Sequence, residues 1–161
     1  FSTLSPIPLL RTWMDQWFAA GRLDPLAAAD LVPLAKLLDA KPEPAAVRRA
    51  LQERRWTEDP ALREALELPM ARLATHYLLA VKKGAAPLDP VARFHLGNGA
   101  RVERLNWLAD ISMKGFNQSY GMMVNYRYVP EEIERNVEAY SRDGRIAATA
   151  SLAGLLRRSG S

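Results

Sequence analysis

The hydrophobic period of this chain changes near Pro87-Leu88-Asp89-Pro90, and that change divides it into a helical stretch and a mixed one. Before the change, Leu9, Leu10, Trp13, Met14, Trp17 and Phe18 recur at the i, i+3, i+4 spacing of one apolar helix face, closed by Gly21. Ala27 to Leu38 has a helical pattern, but Pro33 lacks an amide and disfavours helix at Val32, so two short pieces are expected there. Pro44 to Arg54 reads as a short helix with proline at a tolerated first-turn position. Asp59-Pro60 is a cap followed by a first helical residue. It predicts a longer helix that Pro69 kinks or restarts, running to Lys82 and closed by Gly84.

After the change, Val91 to Leu96 alternates, Gly97-Asn98-Gly99 reads as a hairpin turn, and Arg101 to Trp107 alternates again, which predicts strand, turn, strand. Ser112 to Met123 reads as a helix interrupted by glycines, and the tyrosine-rich Val124 to Val129 as a short strand. Pro130 to Arg142 and Arg145 to Leu156 are expected helices on either side of Asp143-Gly144, with Arg157 to Ser161 a polar tail. Phe1-Ser2-Thr3-Leu4 reads as the end of a strand whose beginning lies upstream. The fold class is therefore α+β, helix-rich with a few sheet strands. Its parts are a helical stretch over about 8–83, a strand-containing segment over about 88–129 and C-terminal helices over about 130–156. At 161 residues this is enough chain for one core, here taken as a single partial domain.

Composition narrows the function classes. The 22 Lys+Arg against 18 Asp+Glu are scattered along the chain, which argues against nucleic acid and leaves a small polyanion as a partner. With no cysteine, thiolate nucleophiles, thiolate metal sites and disulfides are excluded, and a reducing cytoplasm fits. No stretch approaches the roughly 20 apolar residues that span a bilayer, so no membrane partner is expected. Two histidines without clustered carboxylates predict no metal site.

Ser5, in Leu4-Ser5-Pro6-Ile7-Pro8, stands between a strand end and a helix N-terminus, where amides and the helix dipole favour an anion; a capping or turn-forming serine is the plainer reading. His95 has the side chain best suited to exchange a proton near neutral pH, and a buried structural histidine is its plainer reading. His76 shares a helix face with Arg72 and reads as a solvated or packing residue. Lys82-Lys83 at a helix end, and Arg101 and Arg104 near the turn, read as solvated charges. Trp13, Trp17, Trp56 and Trp107 read as core.

Two blocks combine: Phe1-Ser-Thr-Leu-Ser-Pro-Ile-Pro8, and Ala92-Arg-Phe-His-Leu-Gly-Asn-Gly-Ala-Arg101 continuing through Arg104-Leu-Asn-Trp-Leu-Ala-Asp110 to Val124-Asn-Tyr-Arg-Tyr128. Together they resemble the malonyl-CoA decarboxylases. The resemblance implies an acetyltransferase-like (GNAT-like) catalytic fold, malonyl-CoA and acetyl-CoA as the partners, and no cofactor, the CoA thioester being the substrate. It also implies a homo-oligomer built through an upstream helical domain, and, since the chain ends Ser159-Gly160-Ser161 where some members carry a peroxisomal Ser-Lys-Leu, a cytoplasmic setting.

On that likeness Ser5 and His95 match the reactive serine and histidine, and Tyr128 the active-site tyrosine in a supporting role. The substrate-binding candidates are Pro8 and Leu9, in the turn whose amides would meet an oxyanion, with the side chains of Asn98 and Asn125. The rival readings are an acyl-CoA-dependent acyltransferase and a non-catalytic helical interaction module.

Overall fold

The computed structural model describes residues 1–22, 25–53 and 56–159. The chain opens with strand β1 (Ser2–Pro6), followed by helices α1 (Leu10–Ala19), α2 (Ala28–Leu38), α3 (Pro44–Gln52) and, after a short 3-10 turn at Trp56–Glu58, α4 (Pro60–Ala80). A small hairpin of β2 (Lys82–Lys83) and β3 (Ala86–Pro87) leads to α5 (Pro90–Gly97), β4 (Arg101–Asn106), α6 (Met113–Ser119), β5 (Met123–Arg127), α7 (Pro130–Asp143) and α8 (Ala150–Ser159). The architecture is α+β and helix-rich.

The apolar stripe of α1 is borne out: Leu10, Met14 and Trp17 are buried, against a core that includes Leu31, Leu34, Val47, Leu66, Met70 and Leu73. Trp56 is also buried, while Trp13 and Trp107 pack on the core partly covered. The split expected at Pro33 does not occur, and α2 is one helix. Pro33 lies on its exposed side, where water can satisfy the carbonyl it leaves unpaired, while Leu31, Leu34 and Ala35 hold the other face in the core. Pro69, although buried, also lies within one continuous helix, α4. Arg54, the expected end of α3, lies outside the described residues. The buried Arg72 of α4 stands 2.6 Å from Asp30 of α2 and donates to the carbonyl of Leu155 in α8 at 2.8 Å. The ion pair and the carbonyl bond together tie α4 to α2 and α8.

Three strands form an antiparallel sheet in the order β1-β5-β4. Thr3 faces Tyr126 and Ser5 faces Val124 across β1 and β5, while Val102 faces Tyr126 across β4 and β5, with a bulge at Glu103. Residues 147–149 extend the sheet beyond β4 through a parallel bridge, with Val102 N–H donating to Ala147 O and Thr149 N–H to Val102 O.

Three expectations change around α5. Val91 to Leu96 is helical, because Asp89 caps the segment and Pro90 takes the first helical position, and Ala92 and Leu96 supply the buried face. Gly97-Asn98-Gly99 is accordingly the exit of a helix: Gly99 N–H and Ala100 N–H fold back onto Leu96 O and His95 O. Gly99 has φ +94, and a Cβ there would meet Ile133 at 2.8 Å. Finally, Lys82 and Lys83 lie in the β2–β3 hairpin beyond α4, where Lys82 donates to Gly144 O. The expected C-terminal helix from Arg145 starts at Ala150, the preceding residues being taken up by the bridge to β4.

Among the described residues no helix is long and apolar enough to cross a membrane.

Candidate active site

Side chains two apart on a strand share a face, so β1 presents Thr3 and Ser5, and β5 presents Val124 and Tyr126, with Tyr128 following in step, to the same side of the sheet. α5 lies against that side and brings His95 over it. The imidazole stacks on the Tyr126 ring, with centroids 4.6 Å apart and planes inclined by 23°. Its Nε2 stands 3.4 Å from Ser5 Oγ and its Nδ1 2.6 Å from the Tyr128 hydroxyl. Thr3 Oγ1 is 3.0 Å from Ser5 Oγ. Thr3, Ser5, His95 and Tyr128 thus form one line of exchangeable protons, drawn from three separate segments and joining residues ninety positions apart at the Ser5–His95 contact.

Electrostatically the line rests in a neutral state. Ser5 is 6% exposed, and burial pushes the His95 imidazole below its ordinary value, so the ring is uncharged near pH 7. Burial also raises the Tyr128 hydroxyl, which stays protonated. A neutral phenol can donate to an unprotonated Nδ1 or accept from a protonated one, so it holds the ring in either charge state. Tyr126 is fully buried, its hydroxyl finds no partner, and burial raises its ionisation well above the ordinary tyrosine range. It contributes a flat, uncharged floor.

The other candidates stand apart from this line. Asn125 faces Leu4 and Arg104 in register, on the opposite side of the sheet from Ser5. Its amide donates to Thr3 O at 2.9 Å and its oxygen accepts from Asn106 at 2.7 Å, so it braces β1, β5 and β4. Asn98 is exposed, and its amide donates to Phe94 O at 2.8 Å, finishing α5. Pro8 is half-buried and Leu9 42% exposed in the turn into α1, where the amides of the first helical turn have few intrahelical partners. A cavity of about 670 Å³ opens elsewhere, lined by Lys82, Arg101, Glu132 and Arg145 among others, and neither Ser5 nor His95 lines it. Among the described residues no three His, Asp or Glu side chains are grouped as metal ligands would be.

Two neighbours of the site escaped the sequence reading, Thr3 and Tyr126. Both were accessible to it: once β1 and β5 are read as strands, period 2 puts Thr3 beside Ser5 and Tyr126 beside Tyr128.

The sequence pattern of the malonyl-CoA decarboxylase C-terminal domain matches residues 1–161. The mitochondrial malonyl-CoA decarboxylase of Rattus norvegicus is 35% identical over 161 residues, covering 97% of this chain and 32% of that protein. That of Anser anser anser is 36% identical over 146 residues, covering 87% of this chain and 29% of that protein. Crystal structures of malonyl-CoA decarboxylases from Cupriavidus metallidurans and Rhodopseudomonas palustris superpose with TM-scores of 0.74 and 0.79 at 40% and 38% identity. They cover 97% and 96% of this chain and 38% and 34% of theirs, so the chain spans about a third of the length of the relatives it matches.

Proposed function

We propose, because this chain belongs to the malonyl-CoA decarboxylase family, that it is part of a metal-independent carboxy-lyase converting malonyl-CoA to acetyl-CoA and CO2, with Ser5, His95 and Tyr128 as its reactive side chains. The observation that carries the reading is the line of hydrogen-bonding contacts in which Ser5 Oγ and the Tyr128 hydroxyl take the two nitrogens of one imidazole.

In the reaction the bond between C2 and the carboxylate carbon breaks, CO2 leaves, and the electron pair delocalises into the thioester as an enolate. A proton must then reach C2. The resting imidazole is neutral, and an incoming carboxylate favours its protonated form, so the proton taken up with substrate sits on Nε2. Transfer of that proton to C2 after CO2 departs returns the ring to its resting state. Throughout, the Tyr128 oxygen accepts from Nδ1–H, so only Nε2 gains and loses a proton and the ring stays aligned. Ser5, oriented by Thr3, hydrogen-bonds the malonyl group and turns its carboxylate out of the carbonyl plane. The Leu9 N–H, in the turn shaped by Pro8, is the proposed oxyanion donor, such a donor being worth roughly 3–4 kcal/mol where it is preorganised. Asn98 and Asn125 keep only a supporting part, through α5 and the sheet.

The proposal extends to the setting. An acetyltransferase-like sheet is compatible with the antiparallel β1-β5-β4 order, and a homo-oligomer assembled through a helical part of the longer protein goes with it. The cytoplasm is the proposed compartment, on the likeness to the bacterial proteins; the vertebrate relatives are named as mitochondrial. No cofactor enters the scheme.

The test is His95→Asn in the full-length protein. CO2 release from malonyl-CoA is expected to fall by about 10²–10⁴-fold, with acyl-CoA binding held within a few-fold. Near-normal turnover in that variant removes His95 from the chemistry.

A further inference from the structure

α5 is only eight residues long, and a helix of two turns does not hold its own shape in water. The position of His95 therefore depends on what fastens the ends of α5. At its N-terminus stands Asp89, a carboxyl group that is 0% exposed and has both oxygens engaged. One oxygen accepts from Ala92 N–H at 2.9 Å, and the other from the hydroxyl of Tyr77 at 3.2 Å. Tyr77 belongs to α4 and is itself fully buried, in contact with Trp13 of α1 at a ring separation of 5.4 Å. Asp89 thus fastens α5 to the longest helix of the molecule.

The same pair lies toward the floor of the site. Tyr126, on which the imidazole stacks, has its phenol within electrostatic reach of both Asp89 and Tyr77. The reactive imidazole is gripped at Nδ1 from one side and supported from below.

We propose that the buried Asp89–Tyr77 pair is a positioning device for the site: it fixes the start of α5, and so the height at which the His95 imidazole stands over Tyr126 and the distance from Nε2 to Ser5. Asp89 and Tyr77 touch no reacting atom. They act through His95, and the turnover they affect rests on the decarboxylase reading above. A displacement of about 1 Å in a reacting group can cost about 10²-fold in rate, so a loosened α5 acts on kcat and leaves KM nearly unchanged.

The experiment uses the full-length protein with 13C-labelled histidine, the His95 signal being assigned by its loss in His95→Asn. Asp89→Ala is expected to move the His95 resonance and its titration midpoint, and to lower kcat by at least about tenfold with KM within about threefold. Asp89→Asn keeps one oxygen for Ala92 N–H and sets its NH2 to donate to the Tyr77 oxygen, and restores both readouts to near the parent values. Tyr77→Phe removes one hydroxyl without disturbing the core, and gives a change of the same direction and smaller size. A His95 signal and midpoint unmoved in both Asp89→Ala and Tyr77→Phe overturn the inference, as does an Asn variant as impaired as the Ala one. Should the parent protein release no CO2 while the His95 signal still moves in Asp89→Ala and returns in Asp89→Asn, the positioning role stands and the decarboxylase reading falls.

Discussion

Two helices of this chain begin with the same dipeptide and are used differently. Asp59-Pro60 opens α4 and Asp89-Pro90 opens α5, with proline in each case at a first-turn position that needs no amide. Asp59 sits in solvent and accepts from Ala61 N–H and Leu62 N–H at 3.0 and 3.3 Å. Asp89 is fully buried and shares its oxygens between Ala92 N–H and a side chain of another helix. The 21-residue α4 is held by its long buried face, whereas the eight-residue α5 leans on its ends. One signature therefore serves as a local start signal in the first case and as a tertiary fastening in the second.

That difference can be pushed on at graded cost. The largest effect is expected beyond the caps, at the group α5 delivers: Tyr128→Phe removes the hydroxyl at Nδ1 and should lower decarboxylation by about 10²-fold. A substitution at the start of α4 that matched this loss would erase the distinction between the helices. Next come the caps. Asp59→Ala should cost about 1 kcal/mol in urea unfolding with turnover within about twofold. Asp89→Ala should cost about 2–4 kcal/mol, since it removes a cap and leaves the buried Tyr77 hydroxyl unpaired. Equal costs at the two sites would contradict the fastening role.

The smallest effect is a pH trend. Burial raises the Asp89 carboxyl above its ordinary value, outweighing the hydrogen bonds from Ala92 and Tyr77 that lower it. A carboxyl whose folded value is raised lends stability below its unfolded value, and that contribution is lost as pH rises through the folded one. The stability of Asp89→Asn relative to the parent should therefore grow as pH climbs from about 4 toward 7. Urea midpoints at several pH values measure this, and a gap that stays flat would show the buried carboxyl to be indifferent to its charge.

Much of the first half was legible because apolar stripes and first-turn prolines act locally: α1 follows from its spacing, and α3 and α4 from the prolines that start them. α5 was misread because six residues with alternating apolar character fit a strand as well as a short helix. The deciding signal was the Asp-Pro pair, identical to the one that was read as a helix start thirty residues earlier. Ser5, His95 and Tyr128 were reached through the likeness of their surrounding motifs to a family, since nothing local ties a serine at a strand end to a histidine on a helix. Asp89 and Tyr77 were invisible for a related reason. Each is ordinary in its own segment, and their meeting is a product of packing α5 against α4.

β1 and β5 lie far apart in the sequence, and their pairing joins Ser2 to Arg127. Ser5 precedes the imidazole it meets by ninety residues, and it gains its neighbours only after α5 and β5 have joined β1. Contacts this distant in sequence are slow to form. Enzymatic competence in a refolding or nascent chain should thus lag behind helix content, so that catalysis reports the last closure of the fold.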